Sequence, residues 1–300
     1  MIGVSDSSSH SPTHGQHLDP SAPHGHASFA DKIAVVTGGS QGLGFATASL
    51  MKARGAAGIL LVGRDQEKGD AAARRLDGDG CRVEFASIDL REAGSADAVA
   101  ERADADFGTV HTAVNCAAIT ARGTVWNATD EMWDDMLAVN VRAPARLIST
   151  LAPIMKRDGG AGTFVLIGSI AHHGGIPELY TYSPSKYALE IVARNAAFSL
   201  MPHRIRVNLL NPGWMDTPAE HDIQKRYHDA PDDWLVEAEA AQPFGRLLKP
   251  QEIARGICYL ASEESGMMTA ASIDFDQTIP GVGDMPRSTI PVPEHYPWQD

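Results

Sequence analysis

Two textures alternate along the chain. Short β-branched or apolar runs at residues 33–36, 59–62, 82–88, 112–115, 163–167, 206–210 and 272–275 read as strands. Between them, alanine-rich or amphipathic stretches at helical spacing run to about residue 54 and over 67–76, 95–107, 131–150, 182–201 and 250–261. Strands that alternate with helices of this length require right-handed crossovers, and so a parallel sheet covered on both faces. The pattern predicts one doubly wound α/β domain over residues 29–278, undivided by any break in composition. The flanks differ. Residues 1–28 are rich in Ser, His, Pro and Gly, lack the basic start and apolar stretch of a signal peptide, and are expected to stay disordered. Residues 279–300 form a Pro-rich tail carrying Tyr296 and Trp298.

The first strand runs at once into TGGSQGLG, residues 37–44, and then into a helix. That context raises a glycine fingerprint above a plain turn. Gly38, Gly42 and Gly44 let the backbone approach a pyrophosphate, with Ser40, Gln41 and Leu43 beside them. The helix end adds free N–H groups and a positive dipole. The end of the second strand selects the dinucleotide. An acidic residue there takes a ribose 2′-hydroxyl, and an arginine accommodates a 2′-phosphate. Gly63 stands in the acidic position and Arg64 follows it, which favours NADP over NAD; Asp65 is the alternative ribose ligand if the strand ends later.

Residues 168–186 carry the candidate chemistry. Ser169 closes the fifth strand, at the carboxyl edge where open α/β sheets bind ligands. Lys186 stands one helical turn past Tyr182, so a helix opening near Thr181 puts both on one face. An ammonium beside a phenol favours the phenolate, so the Tyr182 pKa is expected to fall towards neutral and suit acid/base work. Tyr180 and Tyr187 gain no such partner, because Pro184 and Ile191 lie four residues on.

Composition narrows the partners. With 43% hydrophobic and 21% charged residues the chain is ordinary globular material. A formal charge of −13 argues against nucleic acid and anionic membranes. No apolar run is long enough to span a bilayer. Cys81, Cys116 and Cys258 are scattered, as expected of reduced thiols in a cytoplasmic protein, and make no metal-type spacing. His10, His14, His17, His24 and His26 give the amino-terminal tail only a compositional case for metal binding, and no metal site is expected.

Together these residues resemble the short-chain dehydrogenase/reductase family of the classical single-domain type, over roughly residues 30–277. The resemblance implies a Rossmann fold and a nicotinamide cofactor. It assigns the acid/base role to Tyr182, orientation of the substrate oxygen to Ser169, the nicotinamide ribose to Lys186 and a relay water to Asn140. It also implies that Asp89, with Leu90, lies by the adenine, that Asn115 stabilises the sheet next to the cofactor, and that Pro212, Gly213 and Thr217 close over the nicotinamide. The sequence Asn-Cys-Ala-Ala at 115–118 departs from the family's usual Asn-Asn-Ala-Gly, and Gln41 stands where many NADP users carry Arg or Lys. Residues 214–246, with Trp214, Tyr227 and Trp234, are expected to cap the site as a pair of helices, and His172 and His173 to face the substrate pocket. Asp216, Glu220 and His221 suit a small polar substrate such as a sugar or polyol. The expected activity is hydride transfer between NAD(P) and a carbinol or carbonyl carbon, by a homodimer or homotetramer. The alternatives are a reductase of a more apolar ketone and a redox sensor without turnover.

Overall fold

The computed structural model describes residues 28–157 and 160–279, so all but the innermost residue of each tail lies outside the described residues. Seven parallel strands form one sheet in the order β3-β2-β1-β4-β5-β6-β7. In chain order the elements are β1 (Ile33–Thr37), α1 (Gly42–Ala53), β2 (Gly58–Gly63), α2 (Gln66–Leu76), β3 (Arg82–Ser87), α3 (Ser95–Phe107) and β4 (Thr112–Asn115). There follow α4 (Asp130–Leu137), α5 (Ala143–Arg157), β5 (Gly162–Ile167), α6 (Tyr182–Leu200) and β6 (Ile205–Pro212). The chain ends its core with α7 (Pro218–His228), α8 (Trp234–Ala240), α9 (Pro250–Ala261) and β7 (Ser272–Phe275). Strand order reverses between β1 and β4, which opens a crevice at their carboxyl ends.

The strands read as unbroken apolar runs because both sheet faces are buried. Neighbours in one strand serve opposite cores. Val35, Leu60, Phe164, Leu166 and Val207 pack with α3, α5 and α6. Val36, Ile59, Leu61, Val165 and Ile167 pack on the other side with α1, α2 and α9. Each such side chain contributes about 1.5–3 kcal/mol by leaving water.

The helix expected over 131–150 is interrupted. A π-helical turn, Ala138–Arg142, separates α4 from α5, and α5 continues through Pro153 to Arg157. No periodicity announces that turn, since one extra residue hardly disturbs the apolar stripe. None of the helices among the described residues is long and apolar enough to cross a membrane.

Candidate active site

A cleft of about 840 Å³ lies along the carboxyl ends of the strands. One end is the glycine loop. Gly38 adopts φ 66°, and a Cβ there would stand 2.9 Å from the Ala117 amide nitrogen. A Cβ on Gly44 would meet the Gly38 carbonyl oxygen at 2.2 Å, so α1 can approach the loop only without a side chain at that position. The first turn of α1 holds no acidic residue, and the Gln41 side chain does not cap it. Its N–H groups therefore remain available to an anion. Gly38, Ser40, Gln41, Gly42, Leu43 and Gly44 all line this part of the cleft.

The second strand ends at Gly63, and the exposed Arg64 lines the cleft just beyond it. Asp65 is engaged locally: its side chain caps α2 by accepting from the Lys68 amide at 3.0 Å. Asp89 and Leu90 also line the cleft. The Arg91 guanidinium, 2.8 Å away, holds the Asp89 carboxyl below its usual range. Pro212 and Gly213, at the end of β6, and Thr217, which caps α7, form the facing wall. Asn115 lies behind the cleft, where its Oδ1 accepts from Thr37 Oγ1 at 2.8 Å and ties β4 to β1.

Thr181 is the residue preceding α6, so Tyr182 and Lys186 occupy its first turns, on one face. Both are buried, and both line the cleft with Ser169. Burial pushes the Tyr182 phenol up to about 12, partly opposed by a hydrogen bond with Ser169. This reverses the fall expected from the Tyr-Lys spacing. The reason is geometric: Lys186 Nζ donates to the Ile167 carbonyl at 2.8 Å and lies 5.6 Å from the centre of the tyrosine ring. Burial also pulls the Lys186 ammonium down to about 8. Arg122 and Glu220 act on the phenol in opposite senses, the first lowering and the second raising its pKa.

Asn140 is fully buried in the π-helical turn, outside the cleft lining. Its Oδ1 accepts from the Ile119 amide at 2.8 Å, and its Nδ2 donates to the Ile119 carbonyl at 2.9 Å and Ser185 Oγ at 3.0 Å. Its side chain thus holds the loop after β4 against α6. His172 and His173 do not face the cleft, contrary to expectation. His172 Nδ1 lies 2.6 Å from the Ser169 carbonyl oxygen, and His173 Nε2 lies 2.8 Å from Asp274 Oδ2. The short 3-10 turn Ile170–His173 points their rings away from the crevice.

Beyond Tyr182 the polar side chains of Thr120, Arg122, Glu178, Glu220 and Gln224 share the lining with apolar Ile170, Ile176, Leu179, Trp214 and Ile223. Of the polar residues only Glu220 was flagged by the sequence, since loop positions outside motifs leave no periodic trace. Glu220 Oε1 accepts from Trp214 Nε1 and from Gln224 Nε2, each at 2.8 Å. Within residues 214–246 two helices form, α7 and α8, and of these only α7 lines the cleft. Asp216 and His221 lie off the cleft as a clasp: His221 Nε2 is 2.8 Å from Asp216 Oδ1, and Lys249 Nζ donates to Asp216 Oδ2 and Glu239 Oε1.

A helix end open to phosphates, sharing one cleft with a serine, a tyrosine and a lysine, defines an NAD(P)-dependent oxidoreductase. The family model described as enoyl-(acyl carrier protein) reductase matches residues 38–277. The chain is 32% identical over 249 residues to the cis-4-hydroxycyclohexanecarboxylate dehydrogenase of Sinomonas cyclohexanicum, covering 83% of this chain and 96% of that one. It is 30% identical to the NADP-dependent (R)-specific alcohol dehydrogenase of Lentilactobacillus kefiri, covering 82% and 95%. Its fold superposes, with a TM-score of 0.79 and 30% identity, on the L-sorbose reductase of Gluconobacter frateurii complexed with NADPH and L-sorbose, covering 85% and 98%. The chain belongs to the short-chain dehydrogenase/reductase family.

Proposed function

We propose that the protein uses NADP to interconvert a carbonyl and an alcohol on a small polar substrate, with Tyr182 as acid/base. The observation that carries this reading is the convergence of Tyr182, Ser169 and Lys186 on one cleft with the glycine loop. A dinucleotide held along the glycine loop and Lys186 would supply or accept hydride at its nicotinamide ring. Ser169 donates a hydrogen bond to the substrate oxygen, where charge develops. Tyr182, protonated at neutral pH, delivers its proton to that oxygen during reduction and is left as phenolate; in oxidation it must first lose its proton, and the phenolate then takes the alcohol proton. Lys186 holds the ribose, and Asn140 keeps the adjoining backbone in place for a relay of protons to solvent. Arg64 favours NADP over NAD, and NADPH or NADP accompanies two of the relatives named above.

The hydrogen-bonding groups of Thr120, Glu178, Glu220 and Gln224 within the mixed lining support a sugar or polyol, in keeping with the L-sorbose bound by the Gluconobacter enzyme. A carboxylated cyclic alcohol is the second reading. It rests on Arg122, which lines the cleft, acts on Tyr182 and makes no ion pair with a carboxylate among the described residues. The protein works as a homo-oligomer in the cytoplasm. Tyr187, Ile191 and Phe198, exposed along α6, support association, and a strictly monomeric mass by light scattering would count against it. The decisive assay follows NADPH absorbance across sugars, polyols, hydroxy acids and apolar ketones, for the native chain and for Tyr182→Phe. Turnover of the best substrate should drop by about a hundredfold or more in the variant while NADPH still binds. Equal turnover would remove Tyr182 from the mechanism, and tight NADPH binding without turnover of any substrate would leave a redox sensor.

A further inference from the structure

The two histidines after Ser169 face away from the cleft and meet the edge strand. His172 and His173 stand on the turn Ile170–His173 with ring centres 4.0 Å apart, and Asp274 of β7 completes the group. One ring nitrogen from each histidine and one Asp274 oxygen lie within 4.8 Å of one another. Such a set needs more than proximity, because exposed carboxylates often gather without a ligand. Here each end is braced from behind. His172 Nδ1 is fixed on the Ser169 carbonyl at 2.6 Å, and Asp274 Oδ1 accepts from Asn211 Nδ2 at 2.9 Å. The second carboxylate oxygen, Oδ2, is thereby turned towards His173. Partners of this kind, a carbonyl behind an imidazole and an amide behind a carboxylate, orient metal ligands.

We propose that His172, His173 and Asp274 bind a divalent transition-metal cation of the zinc class, with water completing its shell. Two imidazoles and one carboxylate suit zinc, nickel or cobalt, whereas magnesium and calcium prefer oxygen donors throughout. Metal–ligand bonds of about 2.0–2.1 Å in a tetrahedral shell set donors about 3.4 Å apart, so the group must contract. His173 has room to turn, since 41% of its side chain is exposed, and Asp274 at 36% leaves an entry path for the ion and its water. The His172 side chain is only 8% exposed and forms the fixed wall; its Nε2 lies 3.5 Å from Glu190 Oε2, a carboxylate that the ion must share or displace. A cation held there would join the segment that follows Ser169 to the outermost strand. It would restrain that segment from outside the substrate cleft, without touching the reacting atoms.

The test must separate this site from the amino-terminal histidines, which can chelate on their own. The full-length chain with His10, His14, His17, His24 and His26 replaced by asparagine serves as the background. Zinc and nickel chlorides are titrated into it by calorimetry, and thermal unfolding is followed with and without each ion. The expected result is one saturable equivalent and a raised melting temperature. His173→Ala and Asp274→Asn, both at partly exposed positions, should each weaken binding by about tenfold or more and abolish the thermal shift. Circular dichroism confirms that both variants fold. Binding as tight in the variants as in the background, displacement of zinc by excess magnesium, or no saturable binding in the background would each overturn the proposal.

Discussion

At Tyr182 and Lys186 burial outweighs the attraction that their spacing suggests. The phenol is pushed up to about 12 and the ammonium down to about 8, both by loss of water. A phenol that keeps its proton through neutral pH suits the acid role proposed for reduction. The sign follows directly. The proton needed for reduction is present below about 12, whereas the Lys186 charge is present only below about 8. The kcat/KM for reduction should therefore fall first as pH rises through about 8, and again near 12. Lys186→Arg keeps its charge at every accessible pH and should erase the lower inflection; an unchanged profile would show that the ammonium is not titrating. Arg64 makes a separate prediction. Losing charge-assisted bonds to a 2′-phosphate costs about 1.5–3 kcal/mol, so Arg64→Ala should raise KM for NADP about ten- to a hundredfold and leave KM for NAD unchanged. Steady-state kinetics with both cofactors decides it. That Ser169, Tyr182 and Lys186 meet in one cleft was legible in the sequence, because their placement depends on helical period and strand ends. Arg122 and Glu178 were not, because a loop's direction in space is set by packing that no local pattern encodes.

Elements show the same division. Every strand was legible to within two residues at each end, because parallel strands buried on both faces appear as short apolar runs between polar breaks. The break between α4 and α5 was not, because a π turn adds one residue without changing the helical texture. That extra residue has a use. It widens the helix where Asn140 reaches out to both backbone groups of Ile119 and to Ser185, and so fastens the strand-β4 loop to the helix of Tyr182. Asn140→Ala would leave the Ile119 amide and carbonyl without these partners in a partly buried place. It should destabilise the fold by about 1–3 kcal/mol and lower kcat, with KM for the dinucleotide little changed. Urea unfolding and steady-state kinetics measure the two effects, and a variant that loses stability but keeps kcat would make Asn140 purely architectural. The outward turn of His172 and His173 was equally hidden: two polar residues just after Ser169 look like pocket lining until Asp274, about a hundred residues away, is brought alongside.

Across the whole molecule, function and stability occupy opposite edges of the sheet. The cleft lies at the carboxyl ends, while the amino end of β6 carries Arg206, whose guanidinium gathers five partners from separate parts of the chain. Its Nη1 donates to the Leu260 carbonyl at 3.0 Å, Ser265 Oγ at 2.7 Å and the Met268 carbonyl at 3.2 Å. Its Nη2 donates to Thr163 Oγ1 at 3.1 Å and the Ser262 carbonyl at 2.7 Å. These bonds fasten β5, the end of α9 and the approach to β7 to a single planar group, a task that needs the arginine fork rather than a point charge. Lysine could satisfy only part of the set, so Arg206→Lys should lower the free energy of unfolding by about 2–3 kcal/mol. Along β6 the distance from Arg206 to the cleft is roughly 20 Å at the usual strand rise, so the folded variant should keep native kcat and KM. Urea titration beside kinetics at a temperature well below unfolding tests both halves. A fall in kcat without a fall in stability would mean that the sheet transmits strain from one edge to the other, and that the two edges are not independent.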